Sequence, residues 1–468
     1  MTATALHAAQ YRLARHYLGK LREAAEAVQR GRASLGYGLR LFDQELSHIQ
    51  HWQAWAARPG PYTAERARLC TEFAVAGAEA LSFRMPPLER LKWLEAALDA
   101  ARQLHDRQAE SAILPKLAMV YSGLGDLSRA EDCARQLLVL AEETKDRLRI
   151  GQALYNLGTI LEDRGKYDEA AKHYQNALTV FAALGADLDS GRASLGLGSV
   201  ATYSGDYQSA YHHFLQYLKL VESGGREIDL CIALQAVAEA LKYLNRYPEA
   251  EAYLQRSEQL SRRLNYQWAL GPVLISLGVC AVEQDHLELA SGYLEEGIEV
   301  ARAFSSKRDV IYGLQGLGSV RWRQGKCDEA LSYLQEGLAM ARETGMSRYG
   351  CNLMRRMAEI YITLDDLRSA QTQLREALVL AQEPGWYPEK VKCLSTAVVL
   401  GYRRGCEAEA AIWAGRILGD AEIEGAQFMQ VCAALESALG AERYRLALDA
   451  GKAQTLDGIL ATALQALT

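Results

Sequence analysis

The sequence predicts an all-α fold, a right-handed α-solenoid (superhelix) of about nine antiparallel helical hairpins with a forty-residue period and helical caps at both ends. Three observations predict it: a short turn motif recurs at that spacing, every motif closes on Ala, and a second small residue lies twelve positions before that Ala. The eight turns begin at Gly125, Gly165, Gly205, Asn245, Asp285, Gly325, Asp365 and Gly405. A fixed period of this length is typical of stacked helical hairpins.

Each position of the motif has a physical reason. The first residue is Gly, Asn or Asp, which suits a chain that leaves a helix through a left-handed backbone conformation. Pro248 follows in the first turn of the next helix, where its missing N–H costs nothing. The small residue is Gly or Ala in seven repeats, and Val398 is the exception. We expect it to contact the closing Ala where the two helices approach most closely.

The motif resembles the tetratricopeptide repeat. The match is closest in Leu154-Tyr-Asn-Leu-Gly158 with Gly165-Lys-Tyr-Asp-Glu-Ala170, and the resemblance covers roughly residues 72–421. The common form of that repeat has thirty-four residues, so we expect the extra residues to lengthen the second helix of each hairpin. An earlier, degenerate unit is predicted to turn at Met85-Pro-Pro87.

Three regions are predicted along the chain. Residues 1–60 form an N-terminal helical linker or cap that ends at a break rich in Pro and Gly, residues 61–421 form the repeat array, and residues 422–468 form a C-terminal helical cap. A single hairpin buries too little apolar surface to offset its conformational entropy. We therefore expect one cooperative solenoid, stabilised by the stacking of neighbours.

Composition excludes several classes of protein. The formal net charge of −6 argues against a general nucleic-acid or anionic-membrane binder. Nine cysteines without a Cys-x-x-Cys pair favour a reducing, cytoplasmic location without a disulfide framework. The uncharged stretch Leu264 to Val282 contains Gly, Pro, Asn and Gln and lies in repeat register, so it predicts a buried hairpin and no membrane span.

The flanks are similar to those of bacterial signal-transduction ATPases of the STAND class with an NB-ARC motor. The similarity lies in Gly38 to Ile49 with Trp52 and Trp55, in Arg90 to Ala97, and in Ala450 to Leu464. It implies a sensor arm that holds a switch off until an inducer binds. The sequence contains no Gly-x-x-x-x-Gly-Lys-Ser/Thr motif. Any ATPase domain would therefore belong to another part of the same polypeptide, or the chain is a free-standing relative.

No catalytic, metal or cofactor signature occurs in the sequence. His48 and His51 can share a helix face, but isolated histidines are far more often structural than metal ligands. We therefore expect a chain that is not an enzyme and that needs no cofactor.

Function is expected on the inner wall of the solenoid, which the first helix of each hairpin lines. A register counted from the small contact residue predicts the partner-binding groove from Tyr155, Glu162, Asp163, Arg192, Tyr203, Glu239, Lys242, Tyr243, Tyr312, Gln315, Trp322, Arg323, Asn352, Arg355, Glu359, Lys392, Tyr402 and Arg403. Aromatic and arginine side chains dominate binding hot spots. Acidic residues lie toward the N-terminal half and basic ones toward the C-terminal half, which predicts a partner with an acidic end.

Structural explanations stay open for some of these residues. Arg323 and Arg403 lie at helix C-termini, where the dipole favours a cation, and Tyr203 and Tyr243 can pack between hairpins. Trp322 is the strongest single candidate. The leading hypothesis is a sensor module that binds a protein, peptide or small-molecule inducer. The alternatives are a free-standing scaffold for protein partners and an enzyme without a local motif.

Overall fold

The computed structural model of the chain describes residues 3–30, 34–58, 63–224, 227–303, 306–383, 385–418 and 426–467. In these ranges the backbone forms helices joined by short connections, without a strand. The helices are α1 (Ala3–Arg30), α2 (Leu35–Ala57), α3 (Thr63–Arg84), α4 (Pro87–Gln103), α5 (Arg107–Gly123), α6 (Leu127–Thr144), α7 (Arg147–Asp163), α8 (Tyr167–Ala183), α9 (Asp187–Tyr203), α10 (Tyr207–Gly224), α11 (Glu227–Tyr243), α12 (Tyr247–Arg263), α13 (Gln267–Glu283), α14 (Leu287–Ala303), α15 (Lys307–Arg323), α16 (Cys327–Glu343), α17 (Ser347–Thr363), α18 (Leu367–Ala381), α19 (Tyr387–Arg403), α20 (Glu407–Leu418), α21 (Ala426–Leu439), α22 (Ala441–Lys452) and α23 (Leu456–Ala466). The predicted all-α fold of consecutive helical hairpins is confirmed.

The forty-residue period is divided equally between the two helices of a hairpin. Helices α7 and α8 contain 17 residues each, and the connections before and after α8, residues 164–166 and 184–186, are equally short. The expectation that only the second helix is longer is therefore wrong. The degenerate first unit turns where it was predicted, since α3 ends at Arg84 and α4 begins at Pro87.

A left-handed residue ends the first helix of all eight repeats, as predicted. The φ angle is +82° at Gly125, +56° at Asn245 and +61° at Asp285. The junctions between hairpins use the same device, which gives a left-handed residue every twenty positions over much of the described chain. The residues of this second set are His105, Lys145, Gly185, Asn265, Gly345 and Gly385. The turns within hairpins and the junctions between hairpins therefore share the same left-handed backbone conformation.

The two small residues of each repeat make room for close packing. The closing Ala is fully buried in all eight repeats, from Ala130 to Ala410. A Cβ placed on Gly198 would lie 2.3 Å from the Phe214 ring, and one on Gly278 would lie 2.5 Å from Leu294. The small residue therefore accommodates mainly the large side chain one turn beyond the Ala.

The chain divides into two compact units, each with its own core. Unit 1 comprises residues 1–200 and 210–233, and unit 2 comprises residues 201–209 and 234–468. In unit 1 the largest core cluster extends from Ala14 in α1 to Ile160 in α7. In unit 2 a core cluster extends from Ile311 in α15 to Leu467.

The C-terminal helices of unit 2 pack against its last repeats. Helix α22 crosses α20 closely, since a Cβ on Gly451 would lie 1.9 Å from the carbonyl oxygen of Ile412. Helix α23 buries Ile459 and Leu460 and places Asp457 Oδ1 2.5 Å from Lys390 Nζ. The predicted region boundaries at 60/61 and 421/422 fall within residues 59–62 and 419–425, which lie outside the described residues, and stay predictions.

The uncharged stretch that ends at Val282 forms most of α13, a helix with buried Leu274 and Leu277 in repeat register. Among the helices that the structure describes, none combines the length and the hydropathy needed to cross a bilayer.

Candidate functional site

In unit 1, two of the predicted groove residues surround one core tyrosine. The Tyr174 hydroxyl donates to Glu162 Oε2 at 2.6 Å, and the Tyr155 ring lies 5.6 Å from the Tyr174 ring. Asp163 accepts a hydrogen bond from Ser122. Because Tyr174 belongs to the core, Glu162 has a structural partner at the end of its helix.

Arg192 forms a second cluster in unit 1. Its Nη2 donates to Asp229 Oδ1 at 3.3 Å, and the same oxygen accepts from the Tyr217 hydroxyl at 3.2 Å. Burial opposes the charge of Arg192, but Asp229 together with Tyr217 and other neighbours outweighs it, so the pKa of the guanidinium lies above its usual range. This cation is held by a carboxylate from the next repeat.

In unit 2, aromatic rings and cations from distant repeats meet. The Arg348 guanidinium lies 4.4 Å from the centre of the Tyr203 ring, and Lys392 Nζ lies 5.3 Å from the Tyr243 ring. Tyr243 also stacks on Tyr207, with ring centres 4.8 Å apart and planes 6° from parallel. Cation–π contacts of this kind strengthen when they are desolvated.

A third contact of this type involves three predicted residues. Lys242 Nζ lies 2.5 Å from Glu239 Oε2 and 5.5 Å from the centre of the Tyr312 ring. Burial lowers the pKa of Lys242, but Glu239 and Tyr312 outweigh it and keep the pKa above its usual value. The ammonium is therefore compensated within the structure.

Helices α17 and α19 carry a group of charged side chains that we call the arginine–lysine cluster. Its members are Arg348, Arg355, Arg356, Glu359, Glu389 and Lys392. Two carboxylates organise it: Glu359 pairs with Arg355 at 2.5 Å and with Arg356 at 3.1 Å, and Glu389 pairs with Arg348 at 2.9 Å. Asn352 Nδ2 also donates to Glu389 at 3.3 Å.

The electrostatics of this cluster are asymmetric. Burial disfavours the ionised form of Glu359, but Arg355 and Arg356 outweigh it and hold its pKa below the usual range. Lys392 shows the opposite behaviour. Burial, together with Arg355, Arg356 and Arg348, lowers its pKa to about 8 against the opposing effect of Glu389. Three arginines thus pair with the two carboxylates, and Lys392 is a fourth cation beside them.

The remaining predicted residues have plainer surroundings. Arg323 pairs with Glu283 at 2.7 Å, and Arg403 pairs with Asp365 at 2.8 Å, so each cation contacts the preceding repeat. Trp322 and Tyr402 are partly buried against the unit 2 core. Gln315 accepts a hydrogen bond from Ser319 through its backbone carbonyl.

Sequence analysis missed Arg348 and Glu389 as inner-wall residues. Both lie in the first turn of their helices, earlier than most positions used to define the groove. The repeat alignment contains a usable signal: Arg308 and Arg348 are forty positions apart, and an acid recurs at the register of Glu389, at Asp229 and Asp309. Charges that recur at one register indicate pairing between neighbouring repeats.

On the inner wall of unit 2, side chains from distant repeats contact each other. A Cβ on Gly205 would lie 2.5 Å from the Tyr387 ring. Arg355 is only 5% exposed, so replacing it would affect stability as well as binding. Arg348 and Arg356 keep 23% and 28% of their side-chain surface exposed. Solvent therefore reaches one side of the arginine–lysine cluster.

No predicted residue lines the cavity of about 620 Å³ beside α4, α5 and α6. Its charged lining is internally paired, with Arg102 on Glu110 and Arg107 on Glu143. In the described ranges, no three His, Cys, Asp or Glu side chains are placed to hold a metal ion.

Comparison with protein families supports the repeat assignment. A family model for the tetratricopeptide repeat matches residues 149–223 and 310–383, and a second matches residues 116–181. The chain therefore contains tetratricopeptide repeats over these residues. A comparison with curated proteins found no match.

Solved structures share the fold at low sequence identity. A Rap protein complexed with competence and sporulation factor aligns with a TM-score of 0.57 and 13% identity, over 80% of this chain and 99% of that one. The apo quorum sensor NprR from B. thuringiensis aligns at 0.51 and 14%, over 77% and 97%. The Rap conjugation gene regulator of plasmid pLS20, in complex with the Phr* peptide, aligns at 0.51 and 15%, over 81% and 98%.

Proposed function

We propose that this chain is a non-catalytic binding module of a signal-transduction protein and that it takes a peptide or protein partner on the inner wall of its repeats. The observation that carries the proposal is the arginine–lysine cluster with the aromatic contacts at Tyr203 and Tyr243. Such a surface combines apolar area with charged donors, which is the composition of binding hot spots.

The structural neighbours support a peptide or protein as the partner. Two of them were solved with competence and sporulation factor and with the Phr* peptide. Similarity at this level establishes the fold, and fold alone does not define a ligand. The choice of ligand for this chain therefore rests on its own inner-wall residues.

The resemblance of the flanks to STAND regulators supports a sensor role. In this proposal the repeats belong to the inducer-sensing arm of such a protein, in the cytoplasm, and binding releases a linked ATPase. Reading the complete gene tests this context, because a sensor arm requires a Walker motif elsewhere in the same polypeptide. A complete frame without one would instead favour the free-standing scaffold.

Trp322 provides the test of the inner wall. In pull-downs from the source cell followed by titration of the captured partner, W322A is expected to weaken binding by at least ~2 kcal/mol, about thirtyfold in Kd. The matched control is Y333A, on the second helix of the same hairpin and also partly buried. Equal loss in both variants, or tight binding by W322A, contradicts the proposal.

A further inference from the structure

We propose that the arginine–lysine cluster of unit 2 is a binding site for a carboxylate of an acidic peptide. This inference rests on the proposed function, since it names the ligand chemistry of the same inner wall. The cluster contains four cations, Arg348, Arg355, Arg356 and Lys392, and two carboxylates, which pair with the three arginines. A third carboxylate from a ligand would reduce the excess of positive charge.

Unpaired polar atoms support the assignment. Among the described residues, the buried Nε atoms of Arg355 and Arg356 lack a hydrogen-bond partner, and so does Glu389 Oε2. The Arg355 side chain is 6% exposed, and unsatisfied buried groups are costly. The site therefore lacks both an acceptor for guanidinium N–H groups and a donor for a carboxylate oxygen.

This combination favours a peptide over a phosphate. A peptide carries carboxylates that accept from arginine and several backbone N–H groups that donate, whereas phosphate near neutral pH has only its one or two P–OH groups as donors. The cluster already holds carboxylates through Arg348 and Arg355, and the planar guanidinium matches this group.

Lys392 is the member with the fewest internal partners. Within the described chain it forms no ion pair with an acidic side chain, and its ammonium lies over the Tyr243 ring. The charged groups that act on it are Arg348, Arg355 and Arg356 from α17 and Glu389 from its own helix, and the neutral ring of Tyr243 from α11 faces it. A ligand carboxylate would give it an ion pair.

Protonation of Lys392 links binding to pH. Its pKa of about 8 means that the ammonium is mostly charged at pH 7 and mostly neutral at pH 9. A carboxylate prefers the charged form, so affinity is expected to fall by about tenfold across this interval. Replacing Lys392 with Arg keeps the charge throughout and is expected to abolish the fall.

The probe is an acetylated and amidated tetraglutamate peptide, titrated calorimetrically into the full chain. Tetraglutamine and inorganic phosphate serve as parallel ligands. We expect saturable binding of tetraglutamate, at least tenfold weaker binding by K392M and R356Q, and unchanged binding by R342Q. Arg342 is a suitable control because it is 65% exposed and pairs with Glu376 on the neighbouring second helix.

The K392M variant is expected to fold. A half-buried lysine with a lowered pKa costs stability below about pH 8, and this cost disappears as pH rises toward the ordinary value of 10.5. Removing the charge at pH 7 should therefore leave the unfolding midpoint unchanged or higher, as thermal unfolding would show.

Each outcome bears on the inference. Absent binding, equal binding by K392M, or tighter binding of tetraglutamine or phosphate overturns it. If the tetraglutamate experiment fails but W322A still weakens binding of the captured partner, the proposed function stands without the carboxylate site. If tetraglutamate binds as expected but W322A binds the captured partner as tightly as the wild type, the proposed function fails and the carboxylate site stands.

Discussion

At the scale of single residues, the backbone conformation of the turns explains the choice of Gly, Asn or Asp. Gly205 and Gly325 both have left-handed φ angles, of +84° and +78°. They differ in surroundings, since a Cβ on Gly325 would meet nothing within 4 Å, whereas one on Gly205 would meet the Tyr387 ring. Replacing each of the two glycines with Ala therefore distinguishes the free-energy cost of a left-handed backbone from the cost of a steric clash.

We therefore expect G325A to lower the free energy of unfolding by about 1 kcal/mol, the usual cost of a left-handed Ala. G205A should lower it by clearly more, because the Tyr387 ring must also move. Urea denaturation followed by circular dichroism measures both. Equal losses would show that the contact between residue 205 and α19 is absent in solution.

At the scale of helices, side-chain caps define where several first and second helices begin. Asp106, Asp126, Asp146 and Asp366 each accept a hydrogen bond from the backbone N–H three residues later. These contacts satisfy donors that the helix itself leaves unpaired. Each of these capping residues directly follows a left-handed residue. At these positions one helix ends and the next begins within three residues.

Asp106 tests this device because its carboxylate accepts from Ala109 N at 2.9 Å. We expect D106A to lower the free energy of unfolding by about 1 kcal/mol, while D106N stays close to the wild type, since Asn caps as well as Asp. Chemical denaturation measures the difference. A similar loss in D106N would assign the effect to charge instead of capping.

Much of this local architecture was predictable from the sequence. The left-handed turns, the fully buried Ala of each repeat and the degenerate unit at Met85-Pro-Pro87 are local properties. The junctions at His105 and Lys145 were not predicted, because neither residue favours the left-handed conformation strongly. Packing of consecutive hairpins selects it there, at a cost of about 1 kcal/mol or more per residue.

At the scale of the whole molecule, stacking of repeats provides the core and terminal helices complete it. Helix α23 buries Ile459, which is 0% exposed. We expect I459A to lower the free energy of unfolding by about 3 kcal/mol, as cavity-forming substitutions do.

The control for this prediction is L446A, on α22, where the side chain is 56% exposed. It should change stability by less than about 0.5 kcal/mol. Unfolding followed by circular dichroism measures both variants. If I459A matched L446A, α23 would not contribute to the core of unit 2 in solution.

The sequence by itself determined the helical hairpins, their period and the residues at each turn, because these depend on backbone conformation and on contacts within one repeat. Only the tertiary structure decided that Arg348 meets Tyr203 and that Lys392 lies beside three arginines without an ion pair to a described carboxylate. These side chains come from repeats that are far apart in sequence. Small rotations between successive hairpins add up along the stack. Contacts between distant repeats depend on this accumulated rotation, which a local sequence pattern does not specify.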